Sequence, residues 1–156
     1  MLLKKFPNRL IGEILVEEGF LEPSNLKKAL QIQKKQGGLV GEILLSQGWI
    51  KEEELLMGLS KQLSLPFIRL GSYNLNRAAL KYISQEMAAR YLIIPFECDK
   101  RVLSMAMFNP LDQEAIKEIE RRIPMSIQIF LASPSEIKQA IEDNYKGALT
   151  EVDEVR

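Results

Sequence analysis

Histidine is absent from the 156 residues, and cysteine occurs once, as Cys98. The first absence excludes histidine-based triads, zinc sites of the His-Glu-x-x-His kind and the usual neutral-pH proton carrier. The second excludes an internal disulfide and a cysteine metal cluster, which suits a reducing compartment and leaves Cys98 as a small buried hydrophobe. No apolar run approaches the roughly 20 residues that span a bilayer, and residues 1–6 lack the apolar stretch of a secretory signal, so a cytoplasmic location is expected. Net charge is also missing: 21 basic side chains balance 21 acidic ones. No global field therefore draws the chain to a nucleic acid polymer or an anionic membrane, and any anion site must be local. A phosphate-binding G-x-x-x-x-G-K-[S/T] loop, a nucleophile elbow and a dinucleotide fingerprint are likewise absent. The expected role is non-catalytic, with no metal and no cofactor.

What is present is a duplication. Gly12-Glu13-Ile14-Leu15-Val16-Glu17-Glu18-Gly19-Phe20-Leu21 aligns without gaps on Gly41-Glu42-Ile43-Leu44-Leu45-Ser46-Gln47-Gly48-Trp49-Ile50, an offset of 29 residues. At the same offset Leu10 matches Leu39, Leu26 matches Leu55, Leu30 matches Leu59 and Gln33 matches Gln62. Each copy has the grammar of a short helix, a glycine stop and a longer helix. Pro23-Ser24 opens the longer helix of copy one, with Leu26, Ala29 and Leu30 as its apolar face and Lys27, Lys28, Lys34 and Lys35 on its solvated side. In copy two Glu52-Glu53-Glu54 forms an acidic first turn, and Leu55, Leu56 and Leu59 form the stripe. Two such hairpins pack into a small helical bundle.

The period changes after Leu65-Pro66. A short strand is expected at Phe67-Ile68-Arg69-Leu70, a helix in two pieces over 75–91 with Ser84 as the second cap, a strand over 92–97 and another over 102–108, with Met105 and Met107 as core filler. A helix over 112–122 and a strand over 125–131 complete a strand–helix–strand crossover, and a last helix starts at Ser133-Pro134-Ser135-Glu136. The fold class is therefore α+β: a helical bundle from the tandem repeat over 1–65, a small α/β subdomain with a mixed sheet over 66–147, and a flexible tail over 148–156. With 46% apolar residues the chain has enough material for a core.

The repeat offers the candidate ligand site. Gly12 and Gly41 sit at helix starts, where free N–H groups face an anion, and Gln33 and Gln62 supply amides able to pair with a base edge. The same glycines also serve close helix packing alone, and the glutamines also suit exposed helix positions.

Leu10-Ile11-Gly12-Glu13-Ile14-Leu15 with Gly19, Leu26, Leu30 and Gln33, repeated 29 residues later, resembles the N-terminal domain of type II secretion and type IV pilus assembly ATPases. Leu65-Pro66-Phe67, Ile94-Pro95-Phe96, Met105-Ala106-Met107-Phe108-Asn109-Pro110-Leu111 and Ser135-Glu136-Ile137 with Tyr145 extend the resemblance over nearly the whole chain. It implies a docking or regulatory domain of such an ATPase, in cis or in trans with the ATPase core, touching an inner-membrane platform protein and so only indirectly peripheral to that membrane. In some members the tandem motif binds cyclic di-GMP, and those members carry a basic residue two positions before each glycine. Here Leu10 and Leu39 hold those positions, and Arg9 lies one residue upstream in copy one only. Each missing charge-assisted contact removes about 1.5–3 kcal/mol, which makes a cyclic di-GMP sensor at Arg9, Leu10, Gly12, Gln33, Leu39, Gly41 and Gln62 the alternative to docking.

Overall fold

A computed structural model describes the backbone of residues 10–155 and the side chains of residues 10–145. The chain separates into two compact units, one ending at Leu65 and the other beginning at Pro66.

The first unit holds α1 (Ile11–Glu17), α2 (Pro23–Gln36), α3 (Val40–Ser46) and α4 (Glu52–Leu63). Both short helices end at a left-handed glycine, Gly19 at φ 79° and Gly48 at φ 74°. In each case the glycine N–H and the following N–H turn back on the last turn: Gly19 to Val16 and Phe20 to Leu15, then Gly48 to Leu45 and Trp49 to Leu44. This double bond satisfies carbonyls that the helix end would orphan, and only glycine adopts the conformation without strain. Pro23 fills the first position of α2, where its missing N–H is harmless. At the start of α4 the Lys51 N–H donates to the Glu54 carboxylate at 2.9 Å.

The pairing of these helices crosses between copies. α1 packs chiefly on α4, and α2 on α3. Leu15, Leu44 and Ala29 have no exposed surface and Leu55 has 1%. Leu30, expected in the apolar stripe, is 47% exposed. It follows Ala29 by one residue, about 100° around the helix, and so leaves the packed side that Ala29 defines.

The second unit is built on a three-stranded sheet in the order β1 (Ile93–Cys98), β2 (Val102–Met107), β3 (Ser126–Leu131). β1 and β2 form an antiparallel hairpin whose turn is tied by Asp99, which accepts from the N–H groups of Arg101 and Val102. Those two bonds hold the Asp99 carboxyl below the usual range. β2 and β3 run parallel, from Val102 opposite Ser126 to Met107 opposite Leu131, and are linked through α6 (Gln113–Arg122). The sheet is therefore mixed, as expected. Pro95 lies in β1, and the register slips between Pro95 and Glu97, the local irregularity that proline's missing donor favours.

Helix α5 (Gln85–Tyr91) is capped by the Ser84 hydroxyl, which accepts from the Met87 N–H. It follows a 3-10 helix over Arg77–Tyr82. Helix α7 (Pro134–Val155) buries Ile137, Ile141 and Tyr145, and the Tyr145 hydroxyl donates to the Ile83 carbonyl at 2.7 Å. Burial pushes the Tyr145 phenol well above its ordinary pKa. The residues expected as a flexible tail over 148–156 continue the backbone of α7 as far as Val155, and residue 156 lies outside the described residues.

Two local expectations are corrected. Phe67-Ile68-Arg69-Leu70 makes a single bridge, Phe67 to Leu131, and then turns into a 3-10 helix over Leu70–Ser72. The Pro66 carbonyl and the Ile68 N–H both bond Leu131, but the Gly71 N–H is drawn to Glu136 instead of to the sheet edge. Cys98 is half-buried and not a core residue, because it closes β1 where the chain enters the Asp99 turn. Met105 and Met107 are fully buried, as expected for filler.

Candidate ligand site on the tandem repeat

Leu10 and Leu39 occupy the same place in their copies: each is the extended residue that precedes a short helix, α1 or α3. Both side chains face solvent, Leu10 at 65% and Leu39 at 40% exposure. Arg9 lies outside the described residues.

Gly12 and Gly41 are the second residues of α1 and α3. A Cβ on Gly12 would stand 2.5 Å from Leu26 Cδ1, and one on Gly41 would stand 3.1 Å from Leu55 Cδ1. Each glycine thus admits a leucine of its own copy against the helix start. Gly58 does the same between copies, since a Cβ there would meet Leu15 Cδ2 at 2.7 Å and Ile11 Cδ1 at 3.0 Å. The repeat position of Gly58 in α2 is Ala29, which is fully buried.

Gln33 is half-buried in the last turn of α2, and its Nε2 donates to the Gly38 carbonyl at 2.9 Å. The bond clasps the Gly37-Gly38 connector, whose glycines have φ of 76° and 91°, and it brings Gln33 to the residue before Leu39. Gln62, near the end of α4, is half-buried and also engaged. The glycine contacts and the glutamine clasp were not legible in the sequence, although the positions themselves were.

The α/β unit carries a cleft of about 680 Å³ between the 70–77 segment and α7, which no sequence signal marks. Its polar groups largely satisfy one another. The Glu136 carboxylate accepts from the Gly71 N–H at 3.0 Å, Arg77 donates to the Asn144 carbonyl at 3.2 Å, and Gln139 donates to Asp143 at 2.9 Å. At its rim the Asn76 amide and the Tyr73 hydroxyl donate to the two oxygens of Glu97, at 2.9 and 2.7 Å. These bonds lower the Glu97 pKa, Asn76 contributing most, and raise that of Tyr73. Tyr73 also meets Phe96 edge-to-face at 5.2 Å, and Phe96 meets Phe130 likewise. The cleft reads as a lock that fixes the 70–77 segment on the sheet and α7.

Among the described residues no group of His, Cys, Asp and Glu converges as a metal site. Nor is any helix among them long and apolar enough to cross a membrane.

A crossed tandem helical repeat followed by a small mixed-sheet unit defines an N-terminal domain of type II secretion and type IV pilus ATPases. Residues 63–151 match the MshEN domain, and the chain belongs to that family. It is 31% identical over 135 residues to the type IV pilus assembly ATPase PilB of Myxococcus xanthus, a match that covers 86% of this chain and 24% of the relative. With the PilB of Thermus thermophilus it shares 23% over 140 residues, covering 88% of this chain and 16% of that one. The chain therefore spans a quarter or less of these relatives. Among solved structures, MshE with cyclic di-GMP superposes with a TM-score of 0.78 at 28% identity, covering 88% of this chain and 100% of the other. The N-terminal domain of XpsE shares the fold, with a TM-score of 0.68 at 19% identity over 85% of this chain and 91% of its own.

Proposed function

We propose that this chain is a non-catalytic docking and regulatory domain of a secretion or pilus assembly ATPase, which contacts an inner-membrane platform protein and is held at that membrane through it. The observation that supports the reading is the likeness to MshE over 88% of this chain, beside a match to the PilB of Myxococcus xanthus that takes up only 24% of that ATPase. The purified chain is expected to bind the cytoplasmic part of the cognate platform protein in a pull-down and to release no phosphate from ATP. Failure to bind, with helix content intact by circular dichroism, would sink the docking role. Phosphate release above background would sink the non-catalytic one.

A second reading is supported by the ligand in the MshE structure: cyclic di-GMP bound across the two copies through Arg9, Leu10, Gly12, Gln33, Leu39, Gly41 and Gln62. The matched Gly12–Leu26 and Gly41–Leu55 contacts favour a two-fold half-site. The exposed leucines at 10 and 39 oppose it, since they bring no charge to the phosphates. Titration calorimetry decides: no heat at high micromolar cyclic di-GMP removes the sensor, and if heat is seen, an unchanged constant in Arg9→Ala removes Arg9 from the site.

A further inference from the structure

The outward face of α2 has no counterpart in the second copy. At about 100° per residue, Lys27, Lys28, Gln31, Lys34 and Lys35 share about 120° of the helix circumference, opposite the side on which Ala29 is buried. All four lysines are exposed, and no acidic residue occurs between Pro23 and Gln36. Among the described residues no ion pair or hydrogen bond holds any of these ammonium groups. Elsewhere Lys61 pairs with Glu18, and Arg121 and Arg122 pair with Glu118. Leu30, 47% exposed, borders the face beside Lys34.

The corresponding positions in the second copy are Leu56, Met57 and Leu63 of α4 and Ser64, which follows that helix. Packing of the repeat therefore does not require lysine there. From residue 27 to residue 35 the helix rises about 12 Å, so the charges are spread along a convex surface too long for one small anion to touch. A plane of negative headgroups meets all of them at once, and an exposed leucine at the edge of such a face suits the headgroup boundary. We infer that the face formed by Lys27, Lys28, Lys34 and Lys35, with Leu30 at its edge, rests directly on an anionic phospholipid surface. This goes beyond a membrane contact made only through a partner, and it stands or falls independently of the platform-protein reading.

Co-sedimentation of the full chain with vesicles tests it. Binding is expected to vesicles of phosphatidylcholine with phosphatidylglycerol and not to phosphatidylcholine alone, and it should weaken as salt is raised. Each of Lys27→Gln, Lys28→Gln, Lys34→Gln and Lys35→Gln should lower the partition constant about fivefold. Lys117→Gln, an equal charge change at an exposed position of α6, should leave it unchanged. Circular dichroism reports whether each variant keeps its helices, as expected for side chains without partners. No binding to the charged vesicles, equal binding to neutral ones, or an equal loss in Lys117→Gln would overturn the proposal. So would saturable binding of inorganic phosphate that abolishes vesicle binding and depends on the same lysines, which would make the face a soluble-anion site.

Discussion

In copy one the first helix closes through Gly19 and Phe20, and in copy two through Gly48 and Trp49, with the same pair of backbone bonds in both. The long helices α2 and α4 begin at matched repeat positions, Pro23 and Glu52. Inside the bundle the likeness continues in Leu15 and Leu44, both without exposed surface. It ends at the helix crossings and on the outer faces. Where α4 meets α1 the close residue is Gly58, whereas the matching position of α2 is the buried Ala29. Where α2 shows lysines, α4 has Leu56 and Leu63, which are buried, and Met57. Packing of two hairpins on each other keeps Leu15 and Leu44 alike, whereas the buried crossing positions Ala29 and Gly58 differ. The face that α2 turns to solvent with lysines is partly buried in α4 through Leu56 and Leu63, and there the duplicates have parted.

The largest expected effects test the shared interior. Leu15→Ala and Leu44→Ala should each lower the stability of the helical unit by about 2–5 kcal/mol, the range for a leucine deleted from a packed core, and by the same amount within about 1 kcal/mol. Urea unfolding followed by circular dichroism measures both. If one substitution proved nearly neutral, the inward equivalence of the copies would be broken.

Next come the crossings, where exchanging the residues of the two copies should fail in both directions. Ala29→Gly loses about 1 kcal/mol of helix propensity and roughly as much again for the vacated methyl, about 2 kcal/mol in all. Gly58→Ala gains that propensity but forces a Cβ to 2.7 Å from Leu15 Cδ2; with overpacking at about 1–3 kcal/mol, a net loss near 1 kcal/mol is expected. A stabilised Gly58→Ala would show that α1 and α4 can move apart freely.

How much of this the sequence disclosed depended on the range of the interaction. Helix stops at Gly19 and Gly48, the Pro23 start and the Ser84 cap are set by neighbours within a few residues, so composition and spacing reveal them. The spacing of Leu26, Ala29 and Leu30 predicts one apolar face, but burial depends on which side of α2 the other hairpin covers, and Leu30 stays 47% exposed. A strand at 67–70 satisfies local propensity and does reach β3 through Pro66 and Ile68, but it ends there because the chain turns into the 3-10 helix over Leu70–Ser72, whose Gly71 N–H Glu136 holds from 65 residues away. The cleft beside α7 is invisible for the same reason. Of the candidate site, the repeat disclosed which positions are equivalent. It did not disclose that Gly12 and Gly41 each lie against a leucine of their own copy.

Among smaller effects, Gly19→Ala and Gly48→Ala should each cost about 1 kcal/mol, because a left-handed φ strains any L side chain. No atom lies within 4 Å of a Cβ built at either position, so the two losses should agree closely. A large difference in their melting temperatures would reveal an unequal neighbour in one copy.

The smallest effect separates two roles of one residue. Gln33 gives one N–H to the Gly38 carbonyl and retains its second N–H and its carbonyl oxygen for a base edge. Gln33→Ala should lose about 0.5–1 kcal/mol of stability, the low end for a hydrogen bond near the surface. Gln33→Glu removes the donor while keeping the shape, so it should lose a similar amount. If Gln33 only clasps the connector, neither substitution changes the heat of mixing with cyclic di-GMP. A binding constant that falls in both variants, at concentrations where both stay folded, would instead give Gln33 a place at the ligand.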